Sequence, residues 1–273
     1  MSTITAADIN KLRQATGAGM MDCRKALTES NGEFEAAIDW LRKQGQKVAA
    51  KRSDREAKEG VILAYPTPGN KAGIVLCISC ETDFVSKNAD FVAFAQSIAD
   101  AAIAHDVKSA EELNNVEING AKVSDMINDK LAAIGEKIEI SKFERIEAPY
   151  VATYIHGSNR MGVLVGLTLE AAEAGKDVAM QIAAMNPLAV DESSISPEVI
   201  AREKDIAIEL VKAEGKPAEM AEKIAMGKLN KFFKDNTLMA QAFVKDGNKS
   251  VSEYLKGIDA NLSVTEFKRV ALG

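Results

Sequence analysis

The sequence predicts an α+β protein of four units, and three observations support this fold class. Apolar residues recur at helical spacing near the start of the chain and again between Pro187 and Asn236. Runs rich in valine, isoleucine and leucine, bounded by glycine and proline, predict strands in the remainder. One strand segment occurs twice, which predicts two related subdomains with small antiparallel sheets. The predicted units are residues 1–55 (three helices), 56–148 (first α+β subdomain), 149–186 with 237–273 (second α+β subdomain) and 187–236 (an inserted antiparallel, coiled-coil-like helical hairpin).

Three short helices are predicted in the first 52 residues. Thr5 is a suitable N-cap for a helix that the glycines of Gly17–Gly19 end. A second helix is predicted over Asp22–Ser30, and a third begins at Glu33. The residues expected to face inward are Ile9, Leu12, Cys23, Ala26, Leu27, Phe34, Ile38 and Leu41.

Beyond Gly60 the pattern changes to strands. Two runs separated by a Pro-Thr-Pro-Gly turn predict a β-hairpin, and an Ala-rich amphipathic segment after it predicts a helix. A second helix and an alternating strand complete the first subdomain, so helices pack on a small antiparallel sheet. The predicted elements are strands Val61–Tyr65, Gly73–Ser79 and Lys137–Ile146, and helices Ala89–His105 and Val123–Ile134.

The repeated segment begins with asparagine, a basic residue, any residue and glycine. Residues 70–78 (NKAGIVLCI) match residues 159–167 (NRMGVLVGL). Each copy follows a strand that ends near a tyrosine, Tyr65 or Tyr154, and each precedes an Ala-rich helix. Two glycine-bounded apolar strands can match by chance, but the shared start favours two related subdomains over coincidence.

The second subdomain is interrupted by a helical hairpin. Ser196-Pro197 is a strong helix start, and the segment 215–217 predicts the turn between two helices. The apolar stripes are Val199, Ile200, Ile206, Leu210 and Val211 on the first helix, and Ala221, Ile224, Ala225, Leu229 and Phe232 on the second. The elements expected after the hairpin are a strand Ala242–Asp246, a turn Gly247–Asn248, a helix Val251–Lys256 and a strand Val264–Ala271.

Composition points to binding rather than reaction. The 34 basic and 40 acidic side chains among 273 residues give a net charge of −6, which argues against direct nucleic-acid binding. The basic residues gathered between Arg42 and Lys58 lack interleaved aromatics and are best interpreted as a solvated helix end and linker. Phosphate-loop and metal-site motifs are missing from the sequence, so we expect no cofactor and no metal. Three cysteines and the lack of a signal pattern or long apolar run predict a cytoplasmic protein without membrane association.

The loop after the second strand, Glu81–Asn88, carries an Asp-Phe pair, and its interpretation stays open at this point. In one reading Asp83 or Thr82 caps the following helix while Phe84 packs into the core, as most aromatic side chains do. In the other, the pair forms an exposed tip that presents a large apolar ring beside a carboxylate.

Three segments resemble the signatures of the translation elongation factor Ts family, bacterial type. They are Leu12–Leu27 (LRQATGAGMMDCRKAL), Cys80–Lys87 (CETDFVSK) and Tyr154–Leu164 (YIHGSNRMGVL), and the resemblance covers essentially the whole chain in order. It implies a guanine-nucleotide exchange factor that binds elongation factor Tu in its GDP-bound and nucleotide-free forms. It also implies that the first unit is ubiquitin-associated-like, and that the hairpin can mediate self-association.

The resemblance further implies roles for individual residues. Thr82, Asp83, Phe84 and Val85 are expected to intrude near the Mg²⁺ site of elongation factor Tu. Arg13, Met20 and Met21 match contacts to its GTPase domain, and His156 matches a contact to another of its domains. The segment Phe243, Val244 and Lys245 matches a stretch near that interface.

Two other classes of function compete with nucleotide exchange. One is a ubiquitin-associated-type adaptor that binds peptides through the loop Gly17–Met21, in which case residues 1–52 alone would carry the main affinity. The other is a small hydrolase that uses His156 as a base, in which case His156→Ala would abolish turnover. A Cys–His pair is another possible arrangement, although nothing in the sequence brings the two together.

Overall fold

Helices flank two three-stranded antiparallel sheets in the computed structural model, which describes residues 4–52, 54–213 and 218–273. The α-helices in this part of the chain are α1 Ala6–Thr16, α2 Met20–Glu29, α3 Phe34–Arg52, α4 Asp83–Ser86, α5 Ala89–Ala104, α6 Ala110–Asn115, α7 Val123–Ile134, α8 Ala172–Met185, α9 Pro197–Ala213, α10 Ala218–Asn236 and α11 Val251–Lys256. The strands are β1 Glu59–Pro66, β2 Ala72–Cys80, β3 Glu117–Ile118, β4 Ala121–Lys122, β5 Glu139–Glu147, β6 Tyr150–His156, β7 Met161–Leu167, β8 Ala242–Phe243, β9 Asp246–Ser250 and β10 Val264–Ala271. The α+β prediction is confirmed.

The three-helix start of the chain forms as predicted. Thr5 caps α1 in a reciprocal capping box with Asp8, and α1 ends where Gly17 takes a left-handed φ of 69°. Leu12, Cys23 and Leu27 are buried between the helices. Helix α3 continues into the basic stretch as far as Arg52, so most of that stretch is helical and only its end is a linker.

The two sheets have the same topology. The strand orders are β1-β2-β5 and β10-β7-β6, so each sheet has a hairpin whose second strand also pairs with a strand later in the chain. A glycine in each central strand allows the opposite sheet to approach closely. A Cβ at Gly73 would lie 2.7 Å from Val151 Cγ1, and one at Gly162 would lie 2.8 Å from Ile62 Cγ2 and from Val75 Cγ2. The predicted repeat therefore corresponds to two similar halves that pack face to face.

Strand β2 is buried along its whole length because both of its faces are covered. One face packs against α5 and α7, and the other packs against the second sheet. Cys77 and Cys80 lie on opposite faces of this strand, in different apolar clusters, as the period of two requires.

The inserted hairpin of α9 and α10 leaves part of its apolar surface exposed. Val211 and Leu229 face inward, but Ile206 and Leu210 are 43% and 52% exposed. These two positions of the apolar stripe stay uncovered because each helix of an antiparallel pair covers only a narrow strip of the other. The predicted turn at 215–217 and the side chain of Ala221 lie outside the described residues.

The segment after the hairpin departs from the prediction in its turn. Strand β8 already ends at Phe243, the turn is formed by Val244 and Lys245, and the predicted turn residues Gly247 and Asn248 lie inside β9. The buried side chain of Phe243 anchors this earlier turn. Helix α11 and strand β10 have the predicted bounds. Short elements in the first half were not predicted; they are α4, α6, β3 and β4. We propose the predicted boundaries near residues 55, 148, 186 and 236 as domain boundaries.

Candidate partner-binding site

The loop after β2 projects from the sheet and forms a single helical turn, α4. We call residues 82–85, which are the N-cap of this turn and its first three residues, the tip. Phe84 is 85% exposed, and Asp83 Oδ2 accepts a hydrogen bond from Lys87 Nζ at 2.6 Å. Val85 is partly buried against the core. The interpretation in which Phe84 packs into the core is therefore wrong. Neither Thr82 nor Asp83 caps the next helix, because Asn88 Oδ1 accepts from Asp90 N at 2.8 Å and takes that role.

The base of the tip is held by side chains that the sequence analysis did not single out. Glu136 accepts hydrogen bonds from Glu81 N, Thr82 N and Thr82 Oγ1 at 3.1, 3.0 and 2.6 Å. In return Glu81 Oε1 accepts from Lys137 N at 2.6 Å. The Glu81 carboxylate also accepts hydrogen bonds from Arg52 Nη1 at 2.8 Å and from Arg55 Nη1 at 3.0 Å.

The same contacts fix the charge of Glu81. The hydrogen bond from the Lys137 backbone, followed by those from Arg55 and Arg52, lowers the pKa of Glu81 to about 2 despite the opposing effect of desolvation. The carboxylate is therefore ionised at neutral pH. It joins the end of α3 to the base of the tip.

An apolar groove of about 540 Å³ separates the tip from the first unit. Phe84 and Val85 form one side of it, and Thr16 and Gly17 at the end of α1 form another. Phe91, Phe94, Met126 and Ile134 also line it. The fold therefore brings the glycine loop of the first unit and the tip to one surface.

The residues of the first unit expected to touch a partner are exposed. Met20 and Met21 lie at the start of α2, directly after the glycine loop. Arg13 is exposed in the last turn of α1, and its carbonyl accepts the hydrogen bond of Gly17 N at 2.8 Å. Flexible methionine side chains suit a surface that must adapt to a partner.

His156 ends β6 at the turn that leads into β7. Its Nδ1 lies 2.9 Å from the hydroxyl of Tyr154. Later in the same turn, Arg160 Nη1 donates to Glu59 Oε2 at 2.7 Å. This bond, with a smaller contribution from Asp83, raises the pKa of Arg160. The His156 turn therefore lies beside the strand ends from which the tip projects.

The segment at 243–245 is held by α8. Phe243 is buried and stacks on the ring of Tyr254 at 4.1 Å, so its side chain supports the turn rather than facing outward. Val244 is exposed, and its N–H donates to Oε1 of the buried Gln181 at 2.8 Å. Lys245 Nζ donates to Asp177 Oδ1 at 2.5 Å. Sequence reasoning missed Gln181, whose signal is a glutamine on the apolar face of a helix.

The described residues contain no group of three or more His, Cys, Asp or Glu that could hold a metal ion. All three cysteines are free and buried, and burial raises the pKa of Cys80 to about 12. A thiol with this pKa is not a thiolate nucleophile at neutral pH. Within the described parts of the chain, we find no helix with the length and apolar character needed to cross a membrane.

Comparisons with a family model and with individual proteins point to the same family. A family model described as Elongation factor TS matches residues 81–273. Proteins named Elongation factor Ts from Christiangramia forsetii and Flavobacterium psychrophilum are each 50% identical to this chain over 276 residues, with 100% of both chains covered. The protein of that name from Cytophaga hutchinsonii is 47% identical over 277 residues with the same coverage. The chain therefore belongs to the elongation factor Ts family, whose role in protein synthesis is guanine-nucleotide exchange on elongation factor Tu.

Proposed function

We propose that this chain releases GDP from elongation factor Tu by pressing Phe84 into the region that holds Mg²⁺ and the phosphates. The observation that carries this proposal is the exposure of Phe84 on a single helical turn. An apolar ring in water is unfavourable, so the ring gains free energy when a partner buries it. Asp83 beside it adds a carboxylate to the same intruding surface.

Displacing Mg²⁺ is an effective way to loosen a diphosphate. The bound cation is the largest local charge that stabilises the phosphates, and its loss leaves them in unfavourable repulsion. By thermodynamic linkage, the factor by which the exchange factor weakens GDP binding equals the factor by which GDP weakens binding of the exchange factor. Nucleotide return therefore separates the complex, and the chain binds both the GDP-bound and nucleotide-free forms.

More than one surface must contribute to this coupling. Weakening GDP binding by about 10⁴-fold requires about 5.5 kcal/mol of differential interaction, which exceeds the value of one buried side chain. We infer that the tip residues Thr82, Asp83, Phe84 and Val85 act together with Arg13, Met20, Met21, His156, Val244 and Lys245. Phe243 supports this surface indirectly, because its buried ring stacks on Tyr254 beneath the turn that carries Val244 and Lys245.

The chain acts as an exchange factor and not as an enzyme in the usual sense. We propose that it has neither a catalytic nor a nucleotide-binding site of its own, that it needs no cofactor, and that it acts in the cytoplasm without direct nucleic-acid or membrane contact. The burial of the three cysteines weighs against a Cys–His hydrolase. We also propose that the exposed apolar stripe on α9 lets the hairpin associate with a second copy.

Release of fluorescent GDP from elongation factor Tu tests the exchange role. We expect the chain to accelerate release strongly, and Phe84→Ala to lose most of that acceleration. Met226→Ala, which removes an exposed apolar side chain from the hairpin, is the matched control and should behave like the wild type. Equal activity of the Phe84 and Met226 variants would contradict the role of the tip. In calorimetry the chain alone should bind neither GDP nor GTP.

A further inference from the structure

The pairing of β2 with β5 ends just before the tip. The last paired residues are Ser79 and Glu139, so the ladder of backbone hydrogen bonds does not extend to the residues that project Phe84. Beyond this point the two chain segments are joined by carboxylates. Glu136 and Glu81 each accept a hydrogen bond from the backbone of the other segment.

Glu136 uses its carboxylate to fix the direction in which the tip leaves the sheet. Its Oε2 accepts hydrogen bonds from the consecutive N–H groups of Glu81 and Thr82, and its Oε1 accepts one from the hydroxyl of Thr82. Thr82 is the N-cap residue of α4. A carboxylate accepts such bonds strongly and in a defined plane. The side chain of Thr82 makes no hydrogen bond to the amides of α4, so it is free to bond with Glu136.

We propose that Glu136 is a positioning residue for nucleotide exchange, acting through the tip without itself touching the partner. The proposal rests on the exchange role of Phe84. Because the Glu81–Thr82 peptide is held in one orientation, Phe84 is already aligned when it enters the partner. The free-energy cost of ordering the tip therefore does not reduce the free energy gained on binding. Without Glu136 the tip is still present but samples several orientations.

The substitution Glu136→Gln tests this because a carboxamide keeps one acceptor oxygen and turns an NH₂ group toward N–H or O–H donors. We expect the maximal rate of GDP release from elongation factor Tu to fall about tenfold, which corresponds to about 1.4 kcal/mol in the barrier. The concentration giving half-maximal release should change little, since the remaining contacts are intact. Glu111→Gln, at an exposed glutamate of α6, is the matched control and should leave both parameters unchanged.

A double-mutant cycle with Phe84→Ala separates positioning from a general structural effect. If Glu136 acts through the tip, Glu136→Gln will slow the wild-type background clearly more than the Phe84→Ala background, where only the other tip residues remain to be positioned. Equal slowing in both backgrounds, or no slowing of the wild type, overturns the proposal. If Phe84→Ala itself retains full activity, it is the exchange role of the tip that fails.

Two further measurements keep the test decisive if Glu136→Gln is poorly folded. Thr82→Val removes the hydroxyl that donates a hydrogen bond to Glu136 Oε1. In a double-mutant cycle with Phe84→Ala, this variant should give the same result as Glu136→Gln. Hydrogen–deuterium exchange of the peptide containing Glu81 and Thr82 should accelerate in Glu136→Gln, while exchange in α5 stays the same. Unchanged protection at Glu81 and Thr82 would contradict the positioning role of Glu136.

Discussion

Asn70 and Asn159 occupy equivalent positions in the two sheets and make equivalent hydrogen bonds across the interface between them. Both residues have left-handed backbones, with φ of 54° and 67°. The carbonyl of Asn70 accepts from Val151 N at 2.7 Å, and the carbonyl of Asn159 accepts from Ile62 N at 2.8 Å. Ile62 and Val151 are separated by the same number of residues as the two asparagines. The halves are therefore related by an approximate two-fold axis, and among the described residues it is the first half that carries an exposed aromatic tip.

The first prediction separates the role of Phe84 in exchange from a role in folding. Phe84→Ala should change the free energy of unfolding by less than about 0.5 kcal/mol, because an exposed side chain contributes little to the folded state. Phe91→Ala, at a phenylalanine that is 1% exposed in the adjacent core, should cost about 3–5 kcal/mol. Urea denaturation of both variants measures the difference. A large loss of stability in Phe84→Ala would mean that the ring packs against the protein in solution.

Much of the fold could be predicted because local signals mark the ends of its elements. Helix α7 ends where Gly135 takes a φ of 78°, and α11 begins at a capping box between Ser250 and Glu253. Helix α4 lacks such signals and depends on Glu136, which is distant in the sequence.

The candidate site was harder to predict than the fold. Periodicity favoured a buried Phe84, because most aromatic side chains are buried, and only the family resemblance pointed to an exposed tip. The groove between Gly17 and Phe84 depends on how α3 packs on α7, and a local pattern carries no information about that packing. The turn at Val244 was misplaced because the side chain that fixes it, Gln181, comes from another helix.

The second prediction concerns how closely α3 approaches α7. A Cβ at Gly45 would lie 2.9 Å from Ala132 Cβ and 3.3 Å from Asn128 O. Gly45→Ala should therefore destabilise the docking of the first unit, although alanine is the better helix former. Gly227→Ala on α10 is the matched control. A Cβ at this position meets nothing within 4 Å, so the free energy of unfolding of this variant should rise by about 0.5–1 kcal/mol. Thermal denaturation of both checks this, and equal gains would show that the α3–α7 contact is loose.

The third prediction concerns how the stability that Glu81 contributes depends on pH. The pKa of Glu81 is about 2 in the folded chain and about 4.3 when unfolded, so its ionised form stabilises the fold above about pH 5. That contribution is lost as the pH falls toward 2. Glu81→Gln should therefore lower the melting temperature at pH 7, and the gap to the wild type should close as the pH falls through this range. Melting curves from pH 3 to 7 measure it, and a gap that is constant with pH would contradict the assigned ionisation.

The fourth prediction concerns the exposed stripe of α9. Replacing Ile206 and Leu210 by lysine should weaken concentration-dependent association in light scattering, because it places charges on the apolar surface that a second copy would cover. The folded monomer should be nearly as stable as the wild type. Ala201→Lys, at an exposed position elsewhere on the same helix, is the control. Unchanged mass together with lost GDP release would instead make the stripe part of the working interface.

The measurement that tests the central claim most directly is GDP release from elongation factor Tu by the wild type and Phe84→Ala, with and without Mg²⁺. If the tip acts by dislodging the cation, the wild type should exceed Phe84→Ala by about tenfold or more in Mg²⁺. After chelation with EDTA the ratio should shrink to about twofold or less, because the charge that the tip removes is already gone. The same ratio in both conditions would contradict the account and would show that Phe84 acts on a part of the partner unrelated to the metal.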